Sequence, residues 1–228
     1  MHSATGRLGT PPAGLRLVVV KRVINFVFSS LTSWRDEEPE IASAAEEDIT
    51  HNLFNYLESE AHGQEEFFFH LEDRQAGTRR IDLSVKPAKT LQAKLFINRN
   101  QSITVFEAKR LPTPTKKREK EYVSGGRSMT GGIQRFKACE HGAAHEEAAM
   151  IGYIQKYDAP YFHQCINSWI KEIALDSTDG LSWADSDCLQ DFEHNPNDKT
   201  SRAISYHQRV KGQPICLHHL WIEMAATS

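Results

Sequence analysis

Ile103–Leu111, ITVFEAKRL, is the stretch on which the fold turns. It opens as a strand should, on β-branched and aromatic residues. Alternation then places Ile103, Val105, Glu107 and Lys109 on one face, so an apolar row ends in a carboxylate and an amine. Two readings compete. On an edge strand the pair is solvated charge. At the end of a core strand it marks a place where both groups face one bound species.

The neighbouring segments give this strand its company. RRIDLSV (79–85) alternates, with Ile81, Leu83 and Val85 on one face and Arg80, Asp82 and Ser84 on the other. EFFFHL (66–71) is a third strand candidate. The connection KPAKTLQAKLFINRN (86–100) is long for a hairpin loop, which leaves room for structure of its own. Ahead of the strands, EIASAAEEDITHNLFNYLESE (40–60) reads as a helix with Ala42, Ala45, Ile49, Leu53 and Leu57 on one face, Glu46 among them, and Gly63 as its stop. Beyond Leu111, a loop rich in basic residues, Gly and Pro runs to Gly132. IQRFKACEHG (133–142) follows as a short helix ended by Gly142. EEAAMIGYIQ (146–155) suits a buried strand, APYFHQCINSWIKEIAL (159–175) a second long helix, and 201–224 a hairpin turning at Lys211-Gly212-Gln213-Pro214. Residues 1–14 look loose. Residues 15–34 are apolar enough to pack on the body, as a strand or as a helix.

This order predicts an α/β protein (an α+β mixed sheet flanked by helices) in a single domain over 1–228. Its αβββαβ core spans about 40–156, and a helix and β-hairpin decorate it over 157–228. Hydrophobic residues make up 39% and charged residues 25% of the 228, enough for a packed core and too balanced for disorder. Net charge is -3, so any nucleic-acid binding must rest on a local basic patch or a metal. The four cysteines have no zinc-knuckle or redox spacing and read as reduced thiols. The apolar run near the N-terminus is interrupted by Lys21 and Arg22, which argues against a membrane span or a signal peptide. A cytoplasmic protein with no membrane contact is expected.

If the strands of Asp82 and Glu107 are antiparallel neighbours, both carboxylates reach one end of the sheet. They repel unless a cation sits between them. Oxygen ligands with open positions suit Mg²⁺ or Mn²⁺. Lys109 shares the face of Glu107, where it can orient or deprotonate a water, or stabilise charge on a phosphoryl oxygen. The bland alternative makes Asp82 a strand-end surface residue paired with Arg79 or Arg80.

RRID…ITVFEAK resembles the PD-(D/E)xK nuclease superfamily, whose restriction-endonuclease-like fold has the same αβββαβ order. The resemblance covers the middle half of the chain. It implies a metal-dependent nuclease hydrolysing DNA phosphodiester bonds, endo- or exo-acting, in restriction, repair or anti-phage defence. Asp82 matches the acidic residue of the second strand, and Glu107 and Lys109 match the (D/E)-x-K of the third. Glu46 matches a metal-side Glu of the first helix, with Glu47 as the alternative. Gln134 resembles the Gln that some members carry on the following helix. The Pro of the motif is absent, since Ile81 precedes Asp82. Asp82, Glu107 and Glu46 are thus the implied ligands of Mg²⁺ or Mn²⁺, and Lys109 and Gln134 complete the catalytic set. Arg110, Lys116, Lys117, Arg118, Lys120, Arg127, Arg135 and Lys137 are candidates to lie along a phosphate backbone. Gly125, Gly126, Gly131 and Gly132 either bring backbone amides to phosphate or supply turns. His207, His218 and His219 read mostly as structural, and Cys139 as a buried small side chain. A partner protein or a second copy of the chain is admitted, with no interface named. The competing function is a catalytically silent or partner-dependent nuclease-like subunit that binds DNA or assembles with a partner.

Overall fold

The apolar stretch near the N-terminus is a helix. In the computed structural model, which describes residues 14–63, 66–75 and 80–224, α1 runs over Leu15–Glu37. Its buried residues, Val19, Val20, Val23, Ile24, Val27, Leu31 and Trp34, recur every three or four positions. That spacing outweighs the strand preference of its valines. The loose reading of residues 1–13 lies outside the described residues, as does Arg79.

The second helix, α2, spans Glu46–Ala61, beginning later than its apolar spacing suggests. Pro39–Ser43 forms a separate single turn, and Ala44 and Ala45 are extended. Ala42 and Ala45 therefore stand outside α2, while Ile49, Leu53 and Leu57 are its buried stripe. With Ala45 as an N-cap that offers no side-chain acceptor, Glu46, Glu47 and Asp48 put negative charge on the first turn, which suits the helix dipole.

The strands are β1 (Phe67–Arg74), β2 (Arg80–Pro87), β3 (Thr104–Leu111), β4 (Glu147–Ile154), β5 (Gln190–Asn195), β6 (Thr200–His207) and β7 (Ile215–Glu223). They form one mixed sheet in the order β1-β2-β3-β4-β7-β6-β5. Pairing is parallel at β3–β4 and β4–β7 and antiparallel elsewhere. The long connection after β2 holds a short helix, α3 (Lys89–Leu95). The helix after β3, α4, covers only Gly132–Lys137, and the chain leaves it through Cys139 at φ 58° before it reaches Gly142. The last helix, α5 (Ala159–Leu175), is capped by the Asp158 carboxylate, which accepts from Tyr161 N.

The terminal hairpin is not an appendage. Its strand β7 lies parallel against β4 over eight residue pairs and carries the sheet onward. β5 is absent from the sequence reading, because QDFEHN is an edge strand with little buried surface and no apolar alternation.

Two cores sandwich the sheet. Phe106, Ala108, Ala149, Ile151, Leu220 and Ile222 pack with α1 and α2, whereas Val105, Leu111, Met150, Leu217 and Trp221 pack with α4 and α5. β3 is thus an interior strand buried on both faces, and the edge-strand reading of Glu107 and Lys109 fails. Among the described residues no helix is long and apolar enough to cross a membrane.

Candidate active site

The pairing of β2 with β3 covers only Leu83↔Phe106, Ser84↔Val105 and Val85↔Thr104. The next positions, Asp82 and Glu107, lie where the two strands part. Ile81 already belongs to the α4–α5 core, away from the face of Leu83 and Val85, so β2 turns as it leaves β3. In this fork the Asp82 carboxylate takes over from the missing strand bond and accepts from Ala108 N at 2.7 Å.

Glu107 is wholly buried, and its Oε1 lies 2.9 Å from both Lys109 Nζ and Arg135 Nη1. Its Oε2 faces His141 Nδ1 at 3.1 Å without hydrogen-bond geometry, so both atoms are buried and unsatisfied. Lys109 Nζ donates to Glu46 Oε1 at 3.2 Å and to the Ala108 carbonyl at 2.8 Å. The other oxygen of Glu46 accepts from Arg110 N at 2.7 Å. Four groups read as a set from the sequence, Asp82, Glu107, Lys109 and Glu46, thus converge. Of the two helix candidates, Glu46 makes these contacts, and exposed Glu47 lines the cleft beside it.

The charges are strongly coupled. Burial, reinforced by the like charge of Glu107, pushes the Asp82 carboxyl up to about 8. Burial would also raise Glu107, but Lys109, His141 and Arg135 outweigh it and hold this carboxyl below its ordinary range. Burial disfavours the charged form of Lys109, yet Glu107, Glu46 and Asp82 prevail and keep its ammonium protonated far above neutral pH.

A cleft of about 300 Å³ opens on Asp82 and Glu46, walled also by Glu47, Asp48 and Glu72. Glu72 has a left-handed φ of 50° and lies, like Asp82, at the gap in the β1–β2 ladder between Leu71↔Leu83 and Asp73↔Ile81. Such a wall repels a polyanion unless cations cover it. The three carboxylates offer oxygen, the donor type a hard divalent ion takes, but as they stand they are not gathered at metal-ligand distances, because the Lys109 ammonium lies against both Glu46 and Glu107.

The remaining sequence candidates fall elsewhere. Gln134 is buried, with Oε1 accepting from Gly125 N and Gly131 N and Nε2 donating to Gly126 O and Asp179 Oδ2. None of its bonds is to Asp82, Glu107 or Lys109, so it staples the glycine loop. The amides of Gly125 and Gly131 are used in this staple, and those of Gly126 and Gly132 bond to Ser124 and Glu121. The turn reading of these glycines therefore holds over the phosphate reading.

Lys137 is 1% exposed, pairs with Asp187 at 2.6 Å and sits over the Trp183 ring. It is a core residue with no route to a phosphate. Arg110 bonds the Ala44 carbonyl, Arg118 pairs with Glu121, and Lys120 with Glu172. Arg135 belongs to the fork through Glu107. Lys116, Lys117 and Arg127 are exposed and carry no ion pair among the described residues. His141 escapes sequence reasoning altogether, since no spacing rule links it to Glu107.

His207 and His219 are buried and joined through the Ser205 hydroxyl, 2.7 Å from each. Asp187 closes this chain on one side at 2.6 Å from His207, and the Tyr122 hydroxyl on the other at 2.7 Å from His219. Both histidines are structural, and Cys139 is buried. Comparison with family models, curated proteins and solved structures finds no match to this chain.

Proposed function

We propose that the chain is a metal-dependent nuclease of the PD-(D/E)xK kind, hydrolysing phosphodiester bonds of DNA with Mg²⁺ or Mn²⁺. The carrying observation is the convergence of Asp82, Glu107, Lys109 and Glu46 where β2 and β3 part, with one oxygen of the buried Glu107 left without a hydrogen bond. Asp82 and Glu107 would hold the ion, with Glu46 beside them. When bound, the ion supplies an activated water and charge neutralisation at the phosphate.

The chain's own contribution is electrostatic and positional. Lys109 stays an ammonium, so of the roles open to it the fitting one is donation to a phosphoryl oxygen as negative charge grows. Glu46 and Glu107 fix that ammonium from two sides. Arg135 and His141 keep Glu107 ionised in a buried setting. Arg110 ties the start of α2 to β3 through its backbone N and its bond to Ala44 O.

The test is cleavage of linear duplex, circular duplex and single-stranded DNA with Mg²⁺, Mn²⁺ or EDTA, with Lys109→Ala alongside. Cutting that needs metal and is lost in the variant is expected. Unchanged cutting by Lys109→Ala would overturn the site.

A second reading, a silent or partner-dependent subunit, draws on the internal neutralisation of Glu107 by Lys109 and Arg135. It predicts no cutting in any lane and no Mg²⁺ binding that depends on Asp82.

A further inference from the structure

On the α1 side of the sheet, away from the fork, three unlike donors meet. Glu147 begins β4, and Cys216 lies directly across from it on β7. His218 is two residues further along β7, on the same face. Nε2 of His218 is 3.2 Å from Glu147 Oε2 and 3.9 Å from Cys216 Sγ, and the three donor atoms lie within 4.8 Å of one another. They line a cavity of about 310 Å³ under α1, with Lys21, Asp191 and Tyr206 also in its wall.

We propose that Glu147, Cys216 and His218 form a binding site for a zinc-class divalent ion, separate from the fork. A tetrahedral ion with bonds of about 2.0 Å to nitrogen and oxygen holds those two donors about 3.3 Å apart. The His218–Glu147 distance of 3.2 Å already meets this. A sulfur–nitrogen or sulfur–oxygen edge of about 3.6 Å is expected for zinc. The sulfur–nitrogen edge is 3.9 Å and the sulfur–oxygen edge lies within 4.8 Å, so the Cys216 side chain has to swing toward Glu147 to close the triangle.

The chemistry of the donors sets the choice of ion. One thiolate, one imidazole and one carboxylate suit a borderline ion, whereas Mg²⁺ demands oxygen. Burial pushes the Cys216 thiol up to about 11, and the Glu147 charge adds to it. Without an ion this sulfur is therefore a thiol, and coordination sends its proton to solvent. Burial also favours neutral His218, the form that ligates. Three protein ligands leave a fourth position toward the cavity, where Asp191 or water can complete the shell.

The test titrates Zn²⁺, and separately Co²⁺, into the full chain in buffer containing millimolar Mg²⁺. One equivalent should bind, and Co²⁺ should give the thiolate charge-transfer band of a tetrahedral site. Cys216→Ser should abolish the band and weaken Zn²⁺ binding at least tenfold, and Asp82→Asn should leave both unchanged. Zinc should also slow alkylation of Cys216 in the wild-type chain more than that of Cys165 or Cys188, a readout that survives if the serine variant misfolds. Absence of a Zn²⁺ equivalent, a Co²⁺ spectrum without the thiolate band, or a band kept in a folded Cys216→Ser chain would overturn the proposal. Loss of DNA cleavage in Asp82→Asn with zinc binding intact separates this site from the fork.

Discussion

At the scale of residues, the proposed chemistry turns on what Lys109 does. It sits between two carboxylates and is 6% exposed, yet it is not the sole support of Glu107, which keeps Arg135 and His141. Lys109→Met should therefore fold. With the competing ammonium gone, Mg²⁺ should bind as tightly as in the wild type or tighter, while cleavage falls by about 10²-fold or more, as expected when a donor to the developing charge is lost. Calorimetric Mg²⁺ titration beside cleavage rates checks this split. A parallel fall in both would make Lys109 a structural group. Lys137 teaches the converse. It sits in a basic segment and reads as a phosphate contact, yet it is a buried partner of Asp187.

At the scale of elements, that pair ties α4 to the turn before β5 and, through His207, to β6. Asp187→Ala leaves an unpaired buried ammonium and should cost about 3–5 kcal/mol, whereas Lys137→Met in the Asp187→Asn background should recover much of it. Urea unfolding of the three chains checks this, and equal stabilities would contradict it. The elements also show what the sequence could carry. β2, β3 and β4 were legible because their apolar runs or alternations are forced by burial, and Glu107 and Lys109 stood out because they break such a run. That Asp82 and Glu107 reach one end of the sheet was legible from antiparallel pairing, whereas the parting of β2 from β3 beyond Leu83 was not. Illegible were β5, whose polar edge has no pattern, the start of α2, set by the Pro39 turn, and the β4–β7 pairing, which joins residues 69 positions apart, as Glu147 and Cys216. Gln134 lay on the expected helix but bonds into the glycine loop, which no spacing announces.

At the scale of the whole molecule, the charge distribution limits how DNA can be held. Of eight basic candidates, Lys116, Lys117 and Arg127 alone are exposed and unpaired among the described residues. Three phosphate contacts give a slope of log affinity against log salt of about -3, whereas eight would give about -7. Binding measured in Ca²⁺ across a salt series should show the shallow slope, and Lys116→Ala with Lys117→Ala should reduce it by about 2. A steep slope would mean that Arg118, Lys120 and Arg135 leave their carboxylates for DNA. Weak phosphate contact shifts the burden of attracting DNA onto the metal at the acidic cleft. The most direct measurement is thus Mn²⁺ binding by electron paramagnetic resonance, in a Cys216→Ser background that removes the second donor cluster. Asp82→Asn is the comparison, because its amide oxygen can still accept from Ala108 N and so spares the fork. A metal site at the fork predicts Mn²⁺ bound in the parent and lost, or weakened at least tenfold, in the Asp82→Asn chain. Equal Mn²⁺ binding by the two chains, or none by either, would contradict it.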